Sequence, residues 1–210
     1  MKNLLLSSFI AIILSGCTLG HYGKLKKAGD LSAFTPSPIF GDNFNSFLFK
    51  TNMTAYGRDF SGLLMTKQMA PGDYRVIFTT ELGMKLFDFG FKDTSFTLYY
   101  CVPQFNKPKL LNTIREDISI LLMNGIKENS FEKFEDTNGL QSIYRCRDGK
   151  FYNYYFYEKQ GNRLVKIEHS KKRVKKIIFT LANYQDDFPN AILIKHYNIK
   201  LKIELNLLKK

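Results

Sequence analysis

Apolar and polar residues alternate along much of the chain, and this period of two predicts β-strands. The clearest segment is 191–207, where every second residue from Tyr197 to Leu207 is apolar and the residues between them, beginning with His196, are polar. Segment 74–80 alternates in the same way. Because side chains of a strand point alternately to its two faces, the pattern predicts strands with one buried and one solvated face.

Further strands are predicted between clusters of turn-forming residues such as Pro71-Gly72-Asp73. The predicted strands are 47–53, 56–69, 74–80, 84–91, 95–102, 140–146, 151–157, 164–169, 174–184 and 191–207. In strand 84–91, Lys85, Phe87, Phe89 and Phe91 are expected to share a face. Several strands carry apolar residues on both faces, which favours one curved antiparallel sheet that is covered on both sides or wraps a cavity.

The hydrophobic period changes to that of a helix after Pro108, a residue type that suits the first helical turn. Asn106 is the expected N-cap, and Gly125 is the expected C-cap. The apolar residues that form one stripe are Leu110, Ile114, Ile118, Leu121 and Leu122. The spacing predicts one amphipathic helix of about fifteen residues that interrupts the sheet. The predicted fold class is therefore mainly β with a helix (α+β).

The N-terminus resembles a bacterial lipoprotein signal. A basic start is followed by the apolar run 4–14, which is too short to span a hydrocarbon core of about 30 Å. The run ends in Leu14-Ser15-Gly16-Cys17, which resembles a lipobox. The resemblance implies that residues 1–16 are removed and that Cys17 is acylated, which anchors the protein to a membrane. Thr18 follows Cys17, and by the sorting rule of enteric bacteria this favours the outer membrane.

Gly, Lys and Pro residues with little periodicity make 17–45 a flexible tether, so that 46–210 is the predicted folded domain. The whole chain has 210 residues, of which 44% are hydrophobic and 24% charged, and this composition excludes a disordered protein. Aromatic residues reach 15%, as 19 Phe and 12 Tyr without Trp. They form either a conventional core or the lining of a cavity.

The formal net charge of +12 suggests an anionic partner. Nucleic acid is not expected, because a lipoprotein works outside the cytoplasm. The strongest basic run is 171–176. Its lysines either protect the ends of strands in a solvated turn or bind anionic lipid head groups or an acidic partner protein.

No constellation of catalytic residues is recognisable, so the protein is not expected to be an enzyme or to use a cofactor or metal. The three histidines lack metal-ligand spacing: His21 lies in the tether, His169 at a strand end and His196 on the polar face of the last strand. Cys101 and Cys146 lie in predicted strands, and either a disulfide or two separate buried thiols fits their positions.

The hairpin 74–89, with the sequence YRVIFTTELGMKLFDF, resembles the corresponding hairpin of the LolB family of outer-membrane lipoprotein receptors. The lipobox, the helix and the aromatic strand 151–157 occur in the order seen in that family. The resemblance implies an incomplete antiparallel barrel with the amphipathic helix as a lid or plug. It also implies a monomer, anchored on the periplasmic side of the outer membrane. Such a protein receives acylated lipoproteins from a LolA-like periplasmic carrier, holds their acyl chains in an apolar cavity and inserts them among outer-membrane phospholipids.

The resemblance also suggests roles for individual residues. Leu82, at the tip of the hairpin, corresponds to an exposed leucine that helps to deliver cargo into the membrane; burial of Leu82 under a neighbouring loop is the alternative. Phe87, Phe89 and Tyr154 are the residues expected to line the acyl cavity. The absence of Trp departs from the family, whose members use it in the cavity wall.

Two other functions fit the same sequence. One is a structural or accessory outer-membrane lipoprotein with a solid core and no lipid ligand. The other is a carrier of a different lipid, such as a glycolipid or a free lipid.

Overall fold

A computed structural model of the chain describes residues 25–31, 38–41, 44–123, 131–172 and 174–210. The predicted signal peptide, Cys17, His21 and Gly125 lie outside these residues. The described residues form thirteen strands and one helix. These elements are β1 Lys26–Leu31, β2 Ser46–Ala55, β3 Arg58–Ala70, β4 Asp73–Thr79, β5 Lys85–Lys92, β6 Ser95–Cys101, α1 Pro108–Leu121, β7 Phe131–Glu135, β8 Gln141–Asp148, β9 Phe151–Glu158, β10 Leu164–Lys171, β11 Val174–Gln185, β12 Phe188–His196 and β13 Leu201–Lys209.

All the strands belong to one sheet whose neighbours are antiparallel. Their order is β1-β7-β8-β9-β10-β11-β12-β13-β2-β3-β4-β5-β6, so β1 and β6 are its two edges. Helix α1 follows β6 at one edge and leads to β7 beside the other. The apolar stripe of α1 is buried in the same cluster as the sheet residues Phe89 and Ile194. The fold is therefore an open, curved antiparallel sheet, an incomplete barrel, that holds one helix, as the fold class predicts.

Segment 191–207, predicted as one strand, is two strands joined by residues 197–200. In the second half of β12 the buried positions are Ile192, Ile194 and His196, whereas in β13 they are odd-numbered and begin at Leu201. A four-residue loop thus changes which alternate positions face inward. The prediction that His196 lies on a solvated face is wrong for this reason.

Part of the predicted tether is structured. Residues Lys26–Leu31 form β1, which pairs with β7, a strand that the sequence pattern does not predict. Ile39 and Phe40 are buried in the main apolar cluster. The expectation of an unstructured tether is therefore wrong for these residues. The backbone of β1 is stabilised by hydrogen bonds to β7, and Ile39 and Phe40 are held by burial of their apolar side chains.

The hairpin of β4 and β5 contains a bulge that changes one predicted face. Phe78 pairs with Phe87, but Thr79 pairs with Lys85, so Leu86 is the extra residue. Lys85 therefore points to the face opposite Phe87, where its Nζ lies 2.7 Å from Oδ2 of Asp88. The prediction that Lys85 shares a face with the phenylalanines is wrong.

Helix α1 begins at Pro108, as predicted, but its N-cap position is Lys107, which makes no capping hydrogen bond through its side chain. Asn106 is therefore not the cap. The predicted apolar stripe is buried, and Asp117 is buried with it. Within the described ranges, no helix combines the length and apolar character needed to cross a bilayer. Cys101 and Cys146 are both free thiols, so they are not joined by a disulfide.

Candidate functional site

The residues predicted to line an acyl cavity lie in packed clusters. Phe87 and Phe89 are 1% and 0% exposed, and their stacked rings have centroids 4.3 Å apart. Phe105, from the segment before α1, packs edge-on against Phe87 at 6.0 Å. The space inside this part of the sheet is thus filled by aromatic rings. Phe87 and Phe89, predicted to line an acyl cavity, thus lie in the packed core, and neither lines the pockets described below.

Tyr154 faces the other side of the sheet. It belongs to a separate cluster with Ile143 and Phe156, whereas its neighbour Tyr155 is buried in the main cluster. Tyr154 and Tyr155 are adjacent in β9, and adjacent side chains of a strand point to opposite faces of the sheet. Tyr154 is therefore not part of a cavity on the side that holds the helix.

The tip of the β4–β5 hairpin carries an exposed leucine. Leu82 is 99% exposed, which excludes its burial beneath a neighbouring loop. The turn is closed by a hydrogen bond of 2.9 Å from the N–H of Gly83 to the carbonyl of Thr80. Gly83 has a φ of +86°, a conformation that residues with a side chain rarely adopt. The turn therefore holds Leu82 away from the sheet.

An apolar groove, here called the tip groove, lies at the turn end of this hairpin. Its volume is about 490 Å³. Its apolar walls are Phe60, Met84, Leu86, Val102 and Pro103. Phe60 packs against Phe105 of the core with ring centroids 4.6 Å apart, so the groove has an aromatic floor. Asp59 also lines it, and its Oδ1 accepts a hydrogen bond of 2.6 Å from the hydroxyl of Thr54.

A second apolar pocket, the aromatic pocket, lies near the start of β2. Its volume is about 620 Å³. Its aromatic lining is Phe40, Phe44, Phe47, Tyr157, Tyr184 and Phe188. The rings of Phe47 and Phe188 are stacked at 4.4 Å. Burial raises the pKa of Tyr184 to about 12, so this phenol stays neutral, and its hydroxyl donates to the carbonyl of Leu164.

The aromatic pocket and the tip groove lie at opposite ends of β2. Phe47, near the start of β2, lines the aromatic pocket. Ala55, the last residue of β2, pairs with Arg58 of β3, and the next residues of β3, Asp59 and Phe60, line the tip groove. The eight-residue separation on one strand corresponds to about 27 Å at about 3.3–3.4 Å per residue. Charged residues of both signs, Arg163, Lys210, Asp186 and Asp187, also line the aromatic pocket.

The largest cleft described, of about 790 Å³, is more polar. It runs along the hydrophilic face of α1 and includes Arg115, Glu116 and Ser119. On its other side are Arg147 and Asp148, from the end of β8. Charged walls make it a poor place for an acyl chain, because burial of an unpaired charge next to hydrocarbon is costly.

A buried polar pair joins α1 to the sheet. Nε2 of His196 lies 2.9 Å from Oδ2 of Asp117, and both side chains are almost fully buried. Burial raises the pKa of Asp117, while the hydrogen bond from His196 opposes this shift. The sequence interpretation missed Asp117, although its position three residues after Ile114 and four before Leu121 places it on the buried stripe.

His169 is also buried, and not at an exposed strand end. Its Nδ1 lies 2.7 Å from Oδ1 of Asn153, and its Nε2 lies 3.5 Å from Oε1 of Glu116. Burial lowers the pKa of His169, although the charge of Asp148 opposes this shift. Burial raises the pKa of Glu116. Two histidines of the sheet thus contact two consecutive carboxylates of α1, which fixes the helix against the sheet.

His169, Asp117 and His196 are buried, whereas Glu116 is partly exposed in the polar cleft. Among the described residues, no group of three or more His, Cys, Asp and Glu side chains is arranged to hold a metal ion. The basic turn 171–176 is partly paired as well, since Nζ of Lys175 lies 3.8 Å from Oε1 of the buried Glu168. Lys171 and Lys172 are exposed.

Acidification is expected to destabilise the fold through His169. Because its folded pKa is lowered, the unfolded chain binds this proton more readily. The free energy of unfolding therefore falls as the pH decreases below about 6.5. The raised pKa of Asp117 acts in the opposite direction: its contribution is complete below about pH 4 and is lost as the pH rises through its folded pKa.

Urea unfolding at a series of pH values measures this effect. The decrease in unfolding free energy between about pH 7 and about pH 5 is expected to be smaller in a His169→Gln variant. Parallel curves for the two proteins would contradict the role of His169.

No family model matches the chain, and no curated protein matches it by sequence. Solved structures do match it. The outer membrane lipoprotein-sorting protein domain from Vibrio parahaemolyticus has a TM-score of 0.53 and 12% identity, over 80% of this chain and 85% of that one. A DUF1329 family protein from Desulfovibrio piger has a TM-score of 0.47 and 7% identity, over 80% and 85%.

A LolA superfamily protein from Nitrosomonas europaea has a TM-score of 0.47 and 10% identity, over 80% of this chain and 87% of that one. At these identities the likeness concerns the fold. The chain thus shares its architecture with the Vibrio domain.

Proposed function

We propose that this protein is a lipid-anchored outer-membrane protein that binds the acyl chains of lipoproteins and transfers them into the membrane. Acylated Cys17 anchors it on the periplasmic side, and a periplasmic carrier supplies the cargo. The observation that carries the proposal is an apolar groove lined by Met84, which belongs to the same hairpin turn as the fully exposed Leu82. The fold, shared with an outer membrane lipoprotein-sorting domain, supports it.

The tip groove suits a hydrocarbon ligand. Its volume of about 490 Å³ lies within the range of about 300–1,000 Å³ that is usual for ligand pockets. Exposing an acyl chain to water costs about 0.8 kcal/mol per methylene, and contact with Phe60, Leu86 and Val102 removes part of that cost. Binding of this kind is reversible and needs neither nucleotide nor metal.

Delivery requires the cargo to pass from the groove to the bilayer. Leu82 stands at the end of the hairpin and Met84, in the same turn, lines the groove. Insertion of Leu82 into the apolar layer brings the mouth of the groove to the membrane surface. The acyl chain then moves from one apolar environment to another without crossing bulk water.

Binding and delivery are expected to separate in two variants. Met84→Glu puts a carboxylate in the groove and should weaken binding of a fluorescent fatty acid by about tenfold or more, because the charge must be desolvated. Leu82→Glu should leave this binding unchanged but reduce transfer of an acylated lipoprotein into vesicles of outer-membrane lipids. Fluorescence titration measures binding, and flotation of the cargo with vesicles measures transfer.

Each variant has a matched control. Met69, on the same strand as Phe60, is 60% exposed, against 61% for Met84, and Met69→Glu should bind the fatty acid normally. Leu140 is an exposed leucine in another turn, and Leu140→Glu should transfer cargo normally. Normal binding by Met84→Glu would exclude the groove, and normal transfer by Leu82→Glu would exclude the tip.

The dense interior favours a second candidate, a structural or accessory lipoprotein without a lipid ligand. Phe87, Phe89 and Phe105 fill the space that a large internal cavity would need. Mass spectrometry of the gently purified protein distinguishes the two. Co-purifying acyl lipids support a carrier, and a clean protein mass supports the accessory role.

A further inference from the structure

A small pocket with two cationic side chains, here called the cationic pocket, adjoins the tip groove. Its volume is about 230 Å³, and Arg58 and Lys107 line it. Phe60 and Gln104 line both this pocket and the tip groove, so the two lie side by side. Positive charge thus lies immediately beside an apolar groove and an exposed apolar tip.

The two cations are not neutralised by the described part of the chain. Neither Arg58 nor Lys107 forms an ion pair with a described residue, and both are exposed. Oδ1 of the nearby Asp59 accepts a hydrogen bond of 2.6 Å from the hydroxyl of Thr54. Glu81, in the hairpin turn, lies 3.6 Å from Nζ of Lys50.

A third cation extends the same surface. The N–H of Tyr56 donates a hydrogen bond of 2.8 Å to the carbonyl of Lys200, which joins the β2–β3 turn to the β12–β13 loop. The side chain of Lys200 is exposed, and so is that of Tyr56. Tyrosine is enriched at membrane interfaces because it has an apolar ring and a polar hydroxyl.

We propose that this end of the sheet docks on an anionic phospholipid surface, with Arg58 and Lys107 binding lipid phosphate groups while Leu82 enters the apolar layer. Charge complementarity identifies the occupant. Two carboxylates also lie at this end, but Glu81 pairs with Lys50 and Asp59 accepts a hydrogen bond from Thr54. Arg58 and Lys107 form no ion pair with a described residue, so an anionic surface complements them. Lys and Arg side chains near an anionic membrane surface strengthen binding to it, and this attraction falls off within a Debye length. The inference rests on the proposed function, for which it names the lipid partner of the tip.

The chain contains no tryptophan, so the fluorescence of one introduced tryptophan reports only on the site of the substitution. A Leu82→Trp substitution introduces a single indole at the tip, and its emission shifts to the blue when the tip enters an apolar layer. The mature acylated protein is reconstituted in vesicles of phosphatidylcholine alone or of phosphatidylcholine with phosphatidylglycerol. We expect a blue shift, and quenching by brominated acyl chains, only in the vesicles that contain phosphatidylglycerol.

Charge reversal then tests the two cations. Arg58→Glu with Lys107→Glu, in the Leu82→Trp background, is expected to abolish the blue shift. Lys67→Glu with Lys92→Glu changes the net charge equally, on exposed lysines near the opposite ends of β3 and β5, and is expected to retain it. The shift in the parent protein is also expected to disappear as the salt concentration rises, because exposed charges are screened.

Three results would overturn the proposal: an equal shift in both kinds of vesicle, a shift retained after reversal of Arg58 and Lys107, or an equal loss in the control pair. Fatty-acid binding in solution, measured on the same variants, separates this failure from failure of the proposed function. If the tip responds to phosphatidylglycerol but the groove binds no fatty acid, docking stands and acyl transfer does not.

Discussion

A His196→Leu variant is expected to lose about 3–5 kcal/mol of unfolding free energy, because the substitution leaves the carboxyl of Asp117 buried without its partner. The two groups are 2.9 Å apart and almost fully enclosed between α1 and β12. Burial already raises the pKa of Asp117, so without His196 this carboxyl becomes still harder to ionise. Guanidinium unfolding of the variant and the parent measures the loss.

A double-mutant cycle shows whether the loss belongs to the pair. Asp117→Leu should also be strongly destabilising, and the double variant with leucine at both positions should recover most of the stability, because an apolar pair needs no desolvated charge. Tyr197→Leu, at the exposed residue next to His196, should change stability by less than about 0.5 kcal/mol. Additive losses in the double variant would contradict a coupled pair.

Truncation of Phe89 is expected to have a similarly large effect. Phe89→Ala should cost about 3–5 kcal/mol, because it leaves a cavity in a packed aromatic core. The ring of Phe89 lies 4.3 Å from that of Phe87 and 5.2 Å from that of Phe96. A residue that lined an open cavity would lose far less on truncation, so this measurement distinguishes a core from a cavity wall.

Leu98 is the matched control for Phe89. It pairs with Phe89 across β5 and β6 but is 38% exposed, and Leu98→Ala should cost much less. Fatty-acid binding in the tip groove should persist in Phe89→Ala at temperatures where the variant is folded. A loss of stability below about 1 kcal/mol would show that Phe89 is not part of a tightly packed core.

Local pattern was sufficient for most of the elements. The period of two predicted the hairpin of β4 and β5, and the helical stripe after Pro108 predicted α1, which ends at Leu121. The short loop Glu81-Leu82-Gly83 predicted a tight tip, and Leu82 is fully exposed there. These features depend on neighbours in sequence, which is why the sequence carries their signal.

The sequence pattern assigned some side chains to the wrong face of the sheet, because it does not show where a loop or a bulge changes the register. Four loop residues interrupt the strand predicted over 191–207. Even-numbered side chains are buried before this loop and odd-numbered ones after it, so His196 lies on the buried face and not on the solvated one. One extra residue at Leu86 turns Lys85 to the opposite face from Phe87. A shift of one residue reverses every side chain that follows, so small errors in register have large consequences.

The sequence by itself determined a curved antiparallel sheet, the amphipathic helix and a tight turn at 81–83, because hydrophobic period and turn chemistry are local properties. The open barrel was an expectation from the family resemblance, and the structure decided that Leu82 is exposed. Only the tertiary structure decided that Phe87 packs against Phe105, that His196 meets Asp117, and that Arg58 and Lys107 share one pocket. Each of these contacts joins segments far apart in the chain. Which distant groups meet depends on strand order and on how the helix fills the sheet, and the hydrophobic period of one segment contains no information about either.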